Sequence, residues 1–460
     1  MTIPADLQEL IRMLERAGEL IRIREPVSAR LEIAALTDLV SQNRGPAILF
    51  EQVKGFDMPV LTNAFGTERR MALALGIRSL QDLDAVNGEF LASAPDVPDF
   101  FVLEPPCQEI VLFGDDVDLT RLPALHAWPK DAGPALTLPI VVTRHPETGA
   151  RNVGMYRLQI LGPRTTGMHW RTGSGGAKHY NAAEGSNKRL AAAVALGADP
   201  ACTLAACSPL PEDQDEFVYA GVLRGTPVPL ARCRTVDLEV PASSQIVLEG
   251  YLEPGERRVE GPFAMHTGLY DLPALYPVFH VTCATFRRDA VFPATVVGPP
   301  PKEDCFLAKA AERLLLARIQ KRFPEVRDLN LPVEGIFQNI AFISIEKSEE
   351  GQPFRLITSL RDEGFLAGFR FICAFGADDD IRDLSRVLWL IGNRVDPARD
   401  LVQGTISGTG TGCLDVDCTR KSERFGRPWP EEAKWDPETM EKAAALSARL
   451  GLMYGHRDNG

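Results

Sequence analysis

The sequence predicts a mixed α/β (α+β) protein with a β-rich middle, and three changes of texture along the chain carry that prediction. Helix-period and strand-like runs alternate up to about residue 106; short β-rich runs separated by turn residues follow from about Cys107; helical and extended runs alternate again from about Lys302. A chain of 460 residues is too long for one ordinary core, so each texture is read as a domain. The expected division is 1–106 for an N-terminal α/β region, 107–302 for the β-rich centre, 303–436 for a C-terminal α/β domain and 437–460 for a terminal helix and tail.

Residues 6–18 carry Leu7, Leu10, Ile11 and Leu14 on one helical face, and Gly18 is suited to the left-handed turn that ends such a helix. A strand from Leu20 to Ile23, a helix from Leu31 to Val40 and a buried strand from Ala47 to Phe50 follow. In the middle, Ile140–Thr143, Met155–Ile160, Phe217–Leu223, Ile246–Leu248, Val278–Thr282 and Val291–Val297 read as strands of a curled barrel or sandwich. One helix is expected to interrupt them around Asn187–Leu196. Beyond it, Ala308–Phe323 predicts a helix stopped by Pro324, Ile336–Ile345 and Phe369–Cys373 predict strands, and Ile381–Val395 predicts another helix. Gly404–Gly412 is expected to be a flexible loop, and Pro437–Met453 a terminal helix.

Composition narrows the function classes. Hydrophobic residues make up 45% and charged residues 24%, as in ordinary globular proteins. A net charge of −12 argues against nonspecific nucleic-acid binding, which needs clustered cations. No run approaches the ~20 apolar residues of a membrane span. The opening Met1–Asp6 lacks a basic and then apolar leader. Nine cysteines, an odd number without a CxxC pair, fit reduced thiols better than a disulfide framework. A cytoplasmic location is therefore expected.

There is no Walker loop, HExxH or GxSxG, and Gly408–Gly412 lacks the strand–turn–helix setting of a dinucleotide site. Three central segments are more informative: Asn152-Val-Gly-Met-Tyr-Arg157 with Met168-His169-Trp170, then Pro211–Phe217 with its acids, then Glu260-Gly261-Pro262-Phe263. Singly, each has a plain explanation. Asn152 suits a turn, His169 a satisfied core position, Glu216 a solvated acidic loop, and Glu260-Gly-Pro a simple turn.

Together they are similar to one family. Asp115–Leu119, Asn152-x4-Arg157, His169-Trp170, Glu216, Cys233-x3-Asp237-Leu-Glu-Val-Pro241, Ile246–Gly250, Glu260–Phe263 and Asp396–Asp400 occur in the order seen in the UbiD family of decarboxylases. Leu14–Leu20 and Gly45–Glu51 match its opening, so the resemblance runs from about residue 6 to 440 and is closest to the 3-polyprenyl-4-hydroxybenzoate decarboxylase type.

That resemblance implies a fold and a chemistry. The fold is an N-terminal α/β region, a central split β-barrel of flavin-reductase type and a C-terminal α/β domain with a terminal helix. The cofactors implied are prenylated FMN, a divalent metal (usually Mn2+) on its phosphate, and K+ beside it. The family's metal positions fall on Asn152, His169 and Glu216, a set of amide oxygen, imidazole and carboxylate that suits such an ion. Met155, Arg157, Met168 and the segment Ala206, Cys207 and Ser208 complete the cofactor-binding positions, the last three lining the K+ site. Arg157 and Glu260 match the family's catalytic pair. The implied reaction is reversible non-oxidative decarboxylation of an aromatic, heteroaromatic or α,β-unsaturated acid. The implied partners are a flavin prenyltransferase as cofactor supplier and further copies of the chain, as a homodimer or homohexamer.

The sequence departs from the family pattern at three places. The usual second acid, five residues after Glu260, is Met265, and a thioether donates no proton. Ser174 stands before Gly175-Gly176-Ala177 where many members have a basic residue, and no lysine lies between Gly404 and Gly412. The proton then comes from Glu260, His266, water or a phenol on the substrate, and of these readings the sequence favours Met265 as a wall for a phenolic substrate. A second hypothesis is an atypical member, or a subunit of a larger (de)carboxylase, that binds flavin phosphate but needs a partner to turn over. A third, on the barrel alone, is a flavin-reductase-like oxidoreductase.

Overall fold

Leu7, Leu10, Ile11 and Leu14 bury one face of the first helix, α1 (Leu7–Arg16), whose N-terminus is capped by the Asp6 side chain. This is the amphipathic pattern at work: one apolar stripe against a core and polar residues opposite. The computed structural model describes residues 2–93, 97–422, 430 and 432–451. They fall into two compact units, one made of the chain up to Pro324 with Leu329–Ala341, the other of Glu325–Asp328 with the chain from Phe342 onward.

In the first unit, α2 (Glu32–Gln42), α3 (Glu68–Ala74) and α4 (Leu83–Ser93) accompany a four-stranded sheet in the order Leu20–Ile23, Ala47–Phe50, Val60–Thr62, Phe292–Ala294. The centre is a nine-stranded sheet whose spine is the long hairpin Ile246–Glu260 with Ala274–Phe286. Leu190–Leu196, Pro139–Arg144 and Arg151–Met155 continue one side. Thr165–Gly167, Leu158–Gly162 and Ala135–Leu136 continue the other. The end strands do not pair, so the sheet curls as a half-barrel around a core that includes Val141, Leu158, Val194, Leu248 and Phe279. Four further helices belong here: α5 (Gly175–Gly185), α6 (Pro200–Ala205), α7 (Glu216–Arg224) and α8 (Glu303–Arg322).

Several expected elements are corrected. Asn187–Leu196 is not a helix: Leu190–Leu196 is an inner strand between two neighbours. Its alternate residues enter two different cores, Ala192, Val194 and Leu196 in one and Ala193 and Ala195 in the other. Burial on both faces overrides the helical preference of alanine. Phe217–Leu223 is not a strand but the body of α7. The Asp215 carboxylate accepts from Phe217 N at 2.7 Å and Val218 N at 3.4 Å, and Gly225, at φ 71°, ends the helix. Met155–Ile160 is two strands broken at Tyr156 and Arg157. Of Ile336–Ile345 only Ile340–Ile345 is extended, because Ile336 and Phe337 both take φ 50°. Helix α8 buries Phe306, Leu307 and Ala310 with Leu10 and Met71 in the first unit's core.

The second unit rests on a five-stranded sheet in the order Val326–Asn330, Ile340–Ile345, Phe371–Gly376, Gly412–Asp417, Leu401–Thr405. With it go α9 (Gln352–Asp362), α10 (Leu384–Arg394) and α11 (Pro437–Leu450). The Gly404–Gly412 segment is less loop than expected, since both its ends lie in an antiparallel pair. Met453, the expected end of the last helix, lies outside the described residues.

Candidate functional site

The break between Arg151–Met155 and Leu158–Gly162 presents Arg157 beside the end of the long strand that finishes at Glu260. Hydrogen bonds fix the backbone after Glu260. Gly261 N donates to Gln159 Oε1 at 3.0 Å, Phe263 N to Asp271 Oδ1 at 2.6 Å, and Ala264 N to Asp131 Oδ1 at 2.9 Å. Asp131 is itself buried, and that burial raises its pKa despite the two main-chain NH groups it accepts from.

Arg157 Nη2 lies 2.7 Å from Glu260 Oε1, and Nε donates to the same oxygen at 3.2 Å. His169 Nδ1 lies 2.8 Å from that oxygen and 3.0 Å from Arg157 Nη2. Arg157 Nη2 also reaches Asp271 Oδ2 at 3.3 Å, and the guanidinium lies over the Phe263 ring at 4.3 Å. The Glu260 side chain is 0% exposed, and its second oxygen, Oε2, is buried without a hydrogen-bond partner. An unpaired buried carboxylate oxygen is costly and marks a place for a donor or ligand. The Tyr276 ring covers His169 at 4.4 Å, and its phenol is raised by burial and then by the Glu260 and Asp271 charges.

Asn152 lies on the strand Arg151–Met155, and Glu216 comes to the same strand from α7. Glu216, in the first turn of α7, accepts from Val153 N at 3.0 Å. Burial pushes its carboxyl from the ordinary 4.5 to about 8, against the lowering effect of its own NH, that of Val153 and the Arg151 charge. Asn152 packs against the start of α5, where a Cβ at Gly175 would collide with Asn152 Oδ1 and displace that amide. Asn152 Nδ2 is buried and unpartnered. Arg151 braces the region through Asp99 and Asp215, each at 2.8 Å. Among the described residues no three His, Cys, Asp or Glu side chains gather as metal ligands. The Asn152, His169 and Glu216 set holds two of those side chains and an amide.

The remaining expected residues take varied positions. Met155 N donates to Ala206 O at 3.1 Å, and the Cys207 thiol lies 3.6 Å from Met155 Sδ. Burial and then the Asp304 charge push that thiol up to about 12. Ser208 turns its hydroxyl back to Leu204 O at 2.8 Å. Met168 is wholly buried in the barrel core, and its N–H bonds Pro277 O. Met265 Sδ lies 3.4 Å from Arg157 Nη1. His266 forms a close hydrogen-bonded pair with Asp304. Asp271, Tyr276, Arg171 and Asp304 were not singled out from the sequence. The signal for Tyr276 is the return strand of the hairpin, which sets Glu260 opposite Ala274; Asp271 lies in the connection before it.

Fold and site together define the class: the chain belongs to the UbiD family. Residues 101–300 match the 3-octaprenyl-4-hydroxybenzoate carboxy-lyase Rift-related domain, residues 11–88 its N-terminal domain and residues 305–423 its C-terminal domain. The chain is 41% identical to an uncharacterized protein of Archaeoglobus fulgidus, over 96% of this chain and 97% of that one. It is similar to an evolved dimeric form of the UbiD-class enzyme HmfF from Pelotomaculum thermopropionicum, solved in complex with prFMN. There the TM-score is 0.83 and the identity 30%, over 95% of this chain and 98% of that one. The vanillic acid decarboxylase of Sedimentibacter hydroxybenzoicus in its closed form superposes with TM-score 0.88 at 27% identity, over 98% of this chain and 100% of that one. Among the described residues no helix is long and apolar enough to cross a membrane.

Proposed function

We propose that this protein is a reversible, non-oxidative carboxy-lyase acting on an aromatic, heteroaromatic or α,β-unsaturated carboxylic acid with prenylated FMN. The observation that carries the reading is the buried knot of Arg157, His169 and Glu260, with one carboxylate oxygen left unpartnered. Its support from outside is that a similar enzyme binds prFMN and another decarboxylates vanillic acid.

The residues present fit the cofactor and its metal. Glu216 is a carboxylate whose burial opposes its charge, and Asn152 is an amide with an orphaned buried nitrogen, so both gain from a bound polar group. Asn152, Glu216 and His169, through the Nε2 that the Glu260 contact leaves free, would hold Mn2+ or another divalent ion on the flavin phosphate. The main chain of Ala206, Cys207 and Ser208 would face K+. When bound, prenylated FMN supplies an electron sink for the pair released as carbon dioxide leaves.

The chain's own residues do the rest. Arg157 offers Nη1 to the substrate carboxylate while Nη2 stays on Glu260. The Phe263 ring against the guanidinium and the burial of Glu260 keep water from the reacting carbon. Glu260 Oε2 is a buried oxygen without a hydrogen-bond partner, packed against Gly167. A flavin prenyltransferase would supply the cofactor, and a homodimer or homohexamer is the proposed assembly, for which the dimeric form of the similar HmfF is support. A cytoplasmic location belongs to the same proposal.

The test is co-expression with a flavin prenyltransferase, followed by the absorption spectrum and metal content. Aromatic, heteroaromatic and acrylic acids are then screened for carbon dioxide release and for solvent deuterium exchange. Bound prenylated flavin with turnover of at least one acid is the expected result. Full cofactor loading with no turnover of any acid would favour the reading as a subunit that needs a partner.

A further inference from the structure

Met265 stands five residues after Glu260, where the family pattern carries an acid, and it touches the Arg157 guanidinium through sulfur at 3.4 Å. Loss of carbon dioxide still requires a proton on the carbon left behind. The next residue has the chemistry that Met265 lacks. We propose that His266 and Asp304 form a proton-delivering dyad beside the Arg157–Glu260 site, with His266 as donor and Asp304 as the positioning residue; this deepens the decarboxylase reading above and rests on it.

The geometry of the pair is built rather than incidental. His266 Nδ1 is hydrogen-bonded to Asp304 Oδ2, and the two side chains are 23% and 13% exposed. The other Asp304 oxygen, Oδ1, accepts from Cys305 N at 2.9 Å in the first turn of α8. A carboxylate fixed at both oxygens holds the ring in one orientation. Nδ1–H then donates to Asp304, and Nε2 is the nitrogen left to exchange protons.

A second feature points the same way. The Phe337 ring meets the His266 ring edge-on, with centroids 5.2 Å apart. Phe337 and its neighbour Ile336 both hold φ 50°, a left-handed conformation that costs a non-glycine residue energy and that clusters at functional sites. The next residue, Gln338, accepts from Arg171 at 3.3 Å. One strained segment therefore reaches both His266 and the residue two after His169. On another side, Asp304 is near enough to Cys207 for its charge to act on that thiol, and Cys207 touches Met155.

The step balances as follows. The bond from the substrate carbon to its carboxylate breaks and carbon dioxide leaves. The electron pair of that bond ends in a new C–H bond, whose proton comes from Nε2 of the protonated imidazole. His266 becomes neutral and later takes a proton from water. In the reverse direction His266 removes the proton, and the same carbon bonds carbon dioxide. Asp304 never leaves Nδ1, so it sets the tautomer without itself gaining a proton.

Two readouts test the dyad. The first needs no cofactor: long-range 1H–15N correlation on the full chain labelled with 15N-histidine, the His266 signal being assigned by its loss in His266→Gln. The neutral ring should carry its proton on Nδ1, Asp304→Asn should shift it towards Nε2, and Asp304→Glu should keep it on Nδ1. The second uses the holoprotein. His266→Gln should lower kcat by about 10²–10⁴-fold, the usual contribution of a general acid, and slow solvent deuterium uptake into product, with KM little changed. Asp304→Asn should lower kcat with cofactor content intact, and Asp304→Glu should recover part of it. A wild-type ring protonated on Nε2, or wild-type kcat in His266→Gln, overturns the dyad. Absence of turnover in the wild-type holoprotein overturns the decarboxylase reading instead, so the two failures are told apart.

Discussion

The guanidinium of Arg157 meets Glu260, Asp271 and His169 through Nη2 and Met265 through Nη1. Because these groups share one cation, a new acid at position 265 competes with Glu260. Met265→Glu should therefore draw Arg157 off its partner and lower kcat/KM on the native acid, whereas Met265→Leu keeps the volume and should retain most of it. Steady-state kinetics of the two variants check this, and undiminished turnover by Met265→Glu would sink it. Glu216 makes a second test. Replacing it with Gln removes the anionic ligand but leaves an oxygen to accept from Val153 N. Metal and flavin should be lost together, on the order of 10-fold or more in affinity, as read by metal analysis and the flavin spectrum. The sequence named Asn152, Arg157, His169, Glu216 and Glu260 because motif residues keep a fixed order. It could not name Asp271, which reaches Arg157 only because a hairpin folds back upon Glu260.

Helix α7 shows how an element positions Glu216, the proposed metal ligand, and how a sequence pattern misleads. Phe217, Val218, Tyr219, Val222 and Leu223 make a run as apolar as a strand, yet Asp215 caps it as a helix and brings Glu216 to Val153. The Asp-before, Gly-after signature at Asp215 and Gly225 was present in the chain, and β-propensity obscured it. In Leu190–Leu196 the error ran the other way, since no local signal says that a run of alanines lies between two strands of one sheet. Asp215→Ala should cost about 1 kcal/mol through the lost cap and weaken metal retention, because Arg151 loses a partner too. Urea unfolding and metal analysis read both. Helix α8 carries a pH effect at its first residue. Glu303 accepts from Phe65 N at 2.8 Å, and burial pushes its carboxyl from the ordinary 4.5 up to about 7, against the lowering effect of the Phe65 NH and the Thr295 hydroxyl. Since the folded pKa lies above the unfolded one, its contribution to stability is fully present below about pH 4.5 and is lost as pH rises through about 7. Glu303→Gln cannot ionise, so its stability relative to wild type should rise across that window. Urea midpoints taken on either side of it check the sign, and a constant difference would refute it.

At the scale of the whole molecule, the order of textures along the chain was legible because helical and strand periodicities are local patterns. The half-barrel's strand order was not, since its spine joins Ile246–Glu260 to Ala274–Phe286 by pairing that only the folded chain reveals. A similar limit applies to surfaces meant for another molecule, which look like any amphipathic helix in sequence. Helix α11 is one. None of its residues is buried, and it exposes Met440, Leu446 and Leu450, with Trp435 just before it. Leu446 and Leu450, four apart, lie on one face, and an apolar face left to water on a helix of 14 residues is unfavourable without a cover. A second copy of the chain presents the same face and is the cover expected here, in an isologous contact. The wild-type chain should then run above monomer mass in light scattering at micromolar concentration. The double variant Leu446→Glu, Leu450→Glu should run at monomer mass, because two carboxylates on each copy would have to be buried against two on the other. Retained flavin and metal in that variant would show that the first unit is intact, so the change in mass would report the helix face alone. A monomeric wild type under the same conditions would remove the proposed role of α11.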